Sequence, residues 1–318
     1  MMASSGAGGG PVVDSSAGAA GLPPQHHPAS AYNHAVLTFA PLIFVVIWST
    51  GFIAARAAAP YADPNLFLII RFALTALCFA VLARRIPWPT GRQALLHAVA
   101  GMLMNGLYLS GAWWSIAHGV AAGVMALLGA LQPLLTALVA VIWLRARLSL
   151  RTWIGLGIGI VGVALVIVPK LAATGLGELA PWPVAVAVGS IFALTAGTMI
   201  QKSSISGGDL RSAGAIQNGA AALVAVVLFS AVGTWHWENH PAVWASLAWS
   251  VGVLSLGGAT LLIWMVRHGE ATRTTSLMLL VPPLAAIEAY FLFGETLNAL
   301  QIAGFALAIG GVVLARRT

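Results

Sequence analysis

Glu288 in AAIEAY and Arg71 in LIIRFA are ionisable side chains with apolar residues on both flanks. A charge in such a setting faces protein or water, where it pairs, carries protons or meets the charge of a bound solute. Two arrangements follow. The two could meet across a cavity mouth, or each could reach outward to the headgroups on its own stem. Asn105, Gln132, Gln217 and Asn218 add amides in equally apolar surroundings, to contact a solute or to tie helices together. Trp48, Trp113, Trp114 and Trp264 either stack on a solute or anchor helix ends at a membrane interface. Pro133, Pro282 and Pro283 lack the N–H that a helix interior needs, so the helix is expected to kink or break there. An apolar medium tolerates such breaks only against protein or a wet cavity.

The elements that position these groups follow from composition. Of the 318 residues, 59% are hydrophobic and 7% charged, against about 25% charged in a soluble domain. Polar surface is too scarce to cover a water-facing shell. Apolar runs recur at about the 20 residues that cross ~30 Å of hydrocarbon. They are continuous rather than alternating, which predicts an all-α polytopic membrane protein. Ten transmembrane helices are expected, at 36–55, 66–83, 95–117, 121–144, 152–168, 182–200, 212–233, 244–266, 275–293 and 299–315.

The basic residues orient them. Arg84, Arg85 and Arg92, then Arg145, Arg147 and Arg151, then Lys202 and Arg211, then Arg267 and Arg273 fall in the even-numbered connections, and Arg316 and Arg317 end the chain. Of the 15 lysines and arginines this leaves Arg56, Lys170 and Arg71 elsewhere. Connections on the cytoplasmic side are rich in Lys and Arg, so both termini are expected in the cytoplasm. The same distribution turns the net charge of +7 away from nucleic acid, because the basic residues line one membrane surface instead of forming a patch.

Displacing the chain by 149 positions brings Pro133 onto Pro282, Gly155 onto Gly304, Gly162 onto Gly311 and Leu148 onto Leu297. The duplicated unit is then five helices. An odd unit re-enters the membrane upside down, and inverted repeats of this kind hold solutes near the midplane between halves. The expected organisation is a disordered cytoplasmic tail over 1–34, a first repeat over 35–170 and a second over 171–318. The tail is Ala-, Gly-, Ser- and Pro-rich and has no basic residue ahead of an apolar core, so it does not read as a signal peptide.

Other motifs read as structural. Gly157 to Gly162 fits G-x-G-x-x-G but lies inside an apolar run, where small residues let helices approach closely. WHWENH, 235–240, lacks the H-E-x-x-H order of a zinc site and reads as a solvated outer loop. His26, His27 and His34 sit in the tail and make a weak metal site at best. Cys78, the one cysteine, is expected to pack. No metal or cofactor is expected, and no P-loop is present to bind ATP.

Several stretches resemble the drug/metabolite transporter superfamily, in its EamA-like branch. WSTGFIAAR (48–56) looks like the family's first-helix opening, and Arg71-Phe72 like the Arg-Phe near the start of its second helix. The stretches from Leu131 and from Val281 look like its repeated helix-pair signature: proline, apolar run, Gly-Glu, polar turn, glycine-spaced helix. Gly294-Glu295 matches the Gly-Glu, whereas the first half has Arg145-Ala146-Arg147 there. The resemblance covers about residues 37 to 315. It implies ten helices in two inverted halves, alternating access, and movement of small metabolites such as amino acids or related compounds, often outward. On this reading Glu288 carries protons or meets solute charge, and the partners are a small-molecule solute, the bilayer of the inner (plasma) membrane, protons and, as an open expectation, a second copy of the chain. Two alternatives stand beside it. A sensor or scaffold would use the same polar residues for packing alone. A membrane-embedded enzyme would need a nucleophile with a base, and His97 and His118 have no G-x-S-x-G serine in company.

Overall fold

Continuous apolar runs in a medium without water must satisfy their backbone groups internally, and helices do so. A computed structural model describes residues 28–144, 149–173, 181–204, 209–258, 260–261, 265 and 278–316 of the protein. The helices are α1 (Pro28–Ala58), α2 (Pro64–Leu82), α3 (Gly91–Ala117), α4 (Ala122–Ala130), α5 (Gln132–Leu144), α6 (Leu150–Ala173), α7 (Pro181–Ser204), α8 (Leu210–Val232), α9 (Pro241–Gly257), α10 (Val281–Phe293) and α11 (Ala299–Arg316). Among the described residues there is no strand, only an isolated antiparallel bridge between Ala62 and Trp237. Among the described residues six helices are long and apolar enough to cross a membrane, within α1, α2, α3, α6, α7 and α8. The remaining apolar helices, Ala122–Thr136, Pro241–Gly257, Met278–Phe293 and Ala299–Ala315, are shorter. The bundle presents apolar side chains outward, among them Leu77, Val227, Ile160 and Phe291. That surface suits lipid and would be a liability in water.

Three boundaries differ from expectation. Helix α1 already begins at Pro28, so residues 28–34, expected to be disordered, are helical; the rest of the tail, with His26 and His27, lies outside the described residues. The run 121–144 is two helices, parted at Leu131. Of the run 275–293, the described part is a 3-10 turn at Met278–Leu280 followed by an α-helix from Val281, and 275–277 lie outside the described residues. Proline explains both partings. Pro133 is the second residue of α5, and Pro282 and Pro283 stand in the first turn of α10. There the missing N–H would have no intrahelical partner in any case, and the fixed φ suits the helix. The prolines open helices; they do not kink the middle of one.

The two portions share their register. Gln132 and Val281, which start α5 and α10, are 149 positions apart, as are Leu144 and Phe293, which end them. The next helices start in the same register, at Leu150 and Ala299. Both carry side-chain caps, and the one at Asn298 is reciprocal. Gln301 N–H donates to Asn298 Oδ1 at 2.9 Å while Asn298 N–H donates to Gln301 Oε1 at 3.0 Å, and Thr152 N–H donates to Ser149 Oγ at 3.2 Å with the two hydroxyls 3.0 Å apart. Both portions also contain a π-helical stretch, Met102–Leu107 in α3 and Trp249–Gly257 in α9.

Packing joins the portions most extensively through α6 against α11 and α2 against α8. The glycines of α6 explain the first. A Cβ on Gly162 would strike the backbone of Ala308 and Gly304, and one on Gly155 would strike Gly311 O. Gly157 has open space around it and takes no part. The motif that fits a dinucleotide loop is, in this setting, a helix-contact surface.

The stretch 234–240 is largely exposed, as a solvated loop should be, and is also bound to the α1–α2 connection. Asp63 caps α2, accepting from Asn65 N–H (2.9 Å) and Leu66 N–H (3.0 Å), and its other oxygen accepts from Thr234 N–H at 2.8 Å. Asp63 N–H donates to His236 O, Glu238 N–H donates to Tyr61 O, and the His240 ring stacks on Tyr61 at 3.7 Å. Nearby, Arg56 Nε donates to Glu295 Oε1 at 3.1 Å. These contacts draw one end of the bundle together.

Candidate functional site

Two adjoining cavities of about 220 and 250 Å³ lie among the helices and share Trp48, Phe52, Met104, Tyr108 and Leu194 as walls. The first is lined further by Arg71, Phe72, Asn105, Trp113, Asn218 and Ser255. The second reaches Gln132, Pro133, Thr198 and the start of α10 at Val281. Both π-helical stretches serve the first cavity: Met104 and Asn105 come from one, Leu254 and Ser255 from the other. A π turn widens the helix by one residue and re-aims side chains, and such turns are frequent at functional sites.

Arg71 is 7% exposed, and its guanidinium lies 5.6 Å from the Trp113 ring centroid and 6.0 Å from that of Phe72. It neither reaches headgroups nor pairs with Glu288. No carboxylate stands within ion-pair distance of it among the described residues, and its Nε has no hydrogen-bond partner. Trp113 is held in place from behind by Phe67, 4.8 Å between centroids, which in turn packs on Trp237 of the clasped connection.

Glu288 belongs to a different environment. It is half-buried against α1, where Ser49 Oγ stands 2.7 Å from its Oε1, and its Oε2 is buried without a partner. It lines neither cavity. Ser49 is one residue from Trp48, so the carboxyl group adjoins the cavity wall rather than the cavity.

The amides divide. Asn105 and Asn218 face the first cavity, with Asn218 Nδ2 donating to Gly214 O at 2.9 Å. Gln132 faces the second and donates to Thr198 Oγ1 at 2.8 Å, joining α5 to α7. Gln217 faces neither; its Nε2 is 3.3 Å from His97 Nδ1 and ties α8 to α3. Trp48 lines both cavities, while Trp114 stacks on His118 at 3.8 Å away from them, and Trp264 lies outside the described residues. No group of three metal-ligating side chains occurs among the described residues.

Sequence reasoning passed over Tyr108, Thr198 and Ser255, and also the Arg56–Glu295 pair. Hydroxyls in apolar runs satisfy their own helix carbonyls so often that their presence signals little. Arg56 and Glu295 were each visible, but 239 positions separate them and only the fold joins them.

An apolar, multi-helix shell around cavities that carry a few polar side chains suits a polytopic membrane transporter. The chain belongs to the EamA-like transporter family, whose sequence model matches it twice, over residues 35–168 and 181–317. It is 25% identical over 285 residues to an uncharacterized transporter, YvbV, of Bacillus subtilis, covering 85% of this chain and 88% of that one. It is 22% identical over 292 residues to an uncharacterized transporter of Archaeoglobus fulgidus, covering 86% and 96%. A protein of known crystal structure at 16% identity superposes with a TM-score of 0.59 over 89% of this chain and 99% of its own, which establishes likeness of fold.

Proposed function

We propose that the protein is a secondary exporter of small metabolites, such as amino acids or related compounds, working by alternating access between two inverted five-helix halves in the plasma (inner) membrane. The observation that carries this is the pair of adjoining cavities, walled by helices from both portions of the chain and lined by Arg71, Asn105, Asn218 and Gln132. The double family match and the shared 149-residue register of α5 with α10 and of the helices that follow support the two-half reading. The clasped end carries few basic residues, so the positive-inside rule makes it the outer face and leaves both termini in the cytoplasm. The cavities extend from Arg71 toward Pro133 and Val281, away from the clasp, as a solute path closed to the outside requires.

The coupling ion is a proton held by Glu288. Ser49 Oγ has one proton and two acceptors, Glu288 Oε1 at 2.7 Å and Val46 O at 2.8 Å. A proton on Glu288 satisfies both contacts at once, the serine donating to Val46 and the carboxyl to the serine. Deprotonation would leave a half-buried carboxylate with one hydrogen bond, a state that favours moving α10 relative to α1. Proteoliposome flux tests the reading: a metabolite panel should reveal a solute whose movement follows an imposed pH gradient. Glu288→Gln should keep binding and lose the response to that gradient. Absence of flux across the panel would reject transport; an unchanged pH response in Glu288→Gln would remove that residue from coupling.

A further inference from the structure

The first cavity contains a buried cation without an anion. Arg71 is 7% exposed, its Nε lacks an acceptor, and no Asp or Glu is among the described residues lining either cavity. The desolvation of a guanidinium is ordinarily offset by a carboxylate and a full set of hydrogen bonds. Here the two aromatic faces of Trp113 and Phe72 supply part of that compensation, at 5.6 and 6.0 Å. No described residue supplies the remainder. Asn105, which makes no side-chain hydrogen bond to another described residue, stands in the same cavity. Tyr108, Asn218 and Ser255 also line it, and most of the remaining wall is apolar, with Trp48, Phe52, Leu109 and Leu254.

We propose that the first cavity binds an organic monocarboxylate, with its acid group on the Arg71 guanidinium and Asn105 and its apolar body along Trp48, Phe52 and Leu254. The inference rests on the reading of this cavity as a solute site and adds the class of solute. A planar guanidinium matches a carboxylate through two parallel hydrogen bonds. One positive charge balances one negative charge, and among the described residues no lysine or second arginine lines the cavity for a dianion. A neutral solute would leave the cation unpaired, and a cationic one would be repelled. Trp113 lies between Arg71 and the Phe67–Trp237 contacts of the clasp, so an occupied anchor also bears on the elements that close that end.

The test uses three probes of one shape: 3-phenylpropionate, 3-phenylpropionamide and phenethylamine. Binding to the full-length protein in detergent is followed by tryptophan fluorescence and calorimetry. The acid should bind roughly tenfold to a hundredfold more tightly than the amide, the difference expected for hydrogen bonds to a charged group, and the amine should be weakest. Arg71→Gln should erase the preference, and Arg71→Lys should keep part of it. The probe series on the unaltered protein decides the matter even where Arg71→Gln fails to fold. Amide or amine binding as tight as the acid, no detectable acid binding, or an acid preference retained in folded Arg71→Gln overturns the proposal. Counterflow in proteoliposomes separates it from the transport reading. Uptake of the amide or amine without the acid leaves a transporter and sinks the monocarboxylate. Tight acid binding with no flux of any solute keeps the site and sinks the transport.

Discussion

At the scale of the residue, one rule picks out many of the polar groups that line the two cavities: a polar side chain in an apolar run must have something to do. It selected Arg71, Asn105, Asn218, Gln132 and Trp48, all of which line the cavities. It also selected Gln217, whose task is a helix tie to His97. Sequence alone leaves the two tasks, solute contact and helix tie, unseparated for a physical reason. When every neighbour is apolar, hydropathy has no period, and the face a residue occupies is invisible until helices pack. Asp63 escaped notice because it stands in a connection, where acids are ordinary. It is 7% exposed and accepts from Asn65, Leu66 and Thr234. Asp63→Ala removes a helix cap and strands a buried donor, a loss of about 2–4 kcal/mol. Melting in detergent should fall accordingly, with Asp63→Asn losing less because it keeps an acceptor. An unchanged melting temperature would mean that the clasp contributes nothing to the closed end.

At the scale of the element, the runs were legible and their interruptions only half so. Pro133, Pro282 and Pro283 marked where helical hydrogen bonding fails, but a missing donor serves equally as a kink or as a start. The choice of start follows from Leu131 and from the 3-10 turn at Met278–Leu280, features of the backbone and not of composition. The π-helical stretches left no sequence signal at all, since MLMNGL and WSVGVLSLG differ little from their surroundings. In the sequence the glycines of α6 all read as contacts, with nothing to say which of them touch. The packing distinguishes them and makes a paired prediction. Gly162→Ala forces α6 away from Ala308 and should destabilise by about 1–3 kcal/mol, the cost of overpacking. Gly157→Ala meets open space and should be neutral or stabilising by up to about 1 kcal/mol through helix propensity. Equal melting of the two variants would refute the α6–α11 interface.

At the scale of the whole molecule, two portions of one chain share devices and differ in what fills them. The caps at Ser149 and Asn298 and the opening prolines recur in register, and each portion has its π stretch, although the residues at those positions have diverged. Divergence is where asymmetry of function enters. The second portion holds Glu288 and Glu295, and the first has no acid in the corresponding places, Val139 and Ala146. The clasp is likewise built from unlike pieces, the connection around Tyr61–Asp63 and the longer stretch 234–240. If the halves rock about the cavities, these pieces must part in every cycle. Ala62 and Trp237 form an antiparallel bridge flanked by the hydrogen bonds of Asp63 N–H to His236 O and Glu238 N–H to Tyr61 O. A pair so placed has its Cα atoms about 4.5 Å apart, within the reach of a disulfide. Ala62→Cys/Trp237→Cys should therefore cross-link under mild oxidation, and flux should stop while solute binding persists. Reductant should restore flux to the level of the never-oxidised double variant. Full flux through the cross-linked protein would show that this end does not open, and the solute would then need another way out.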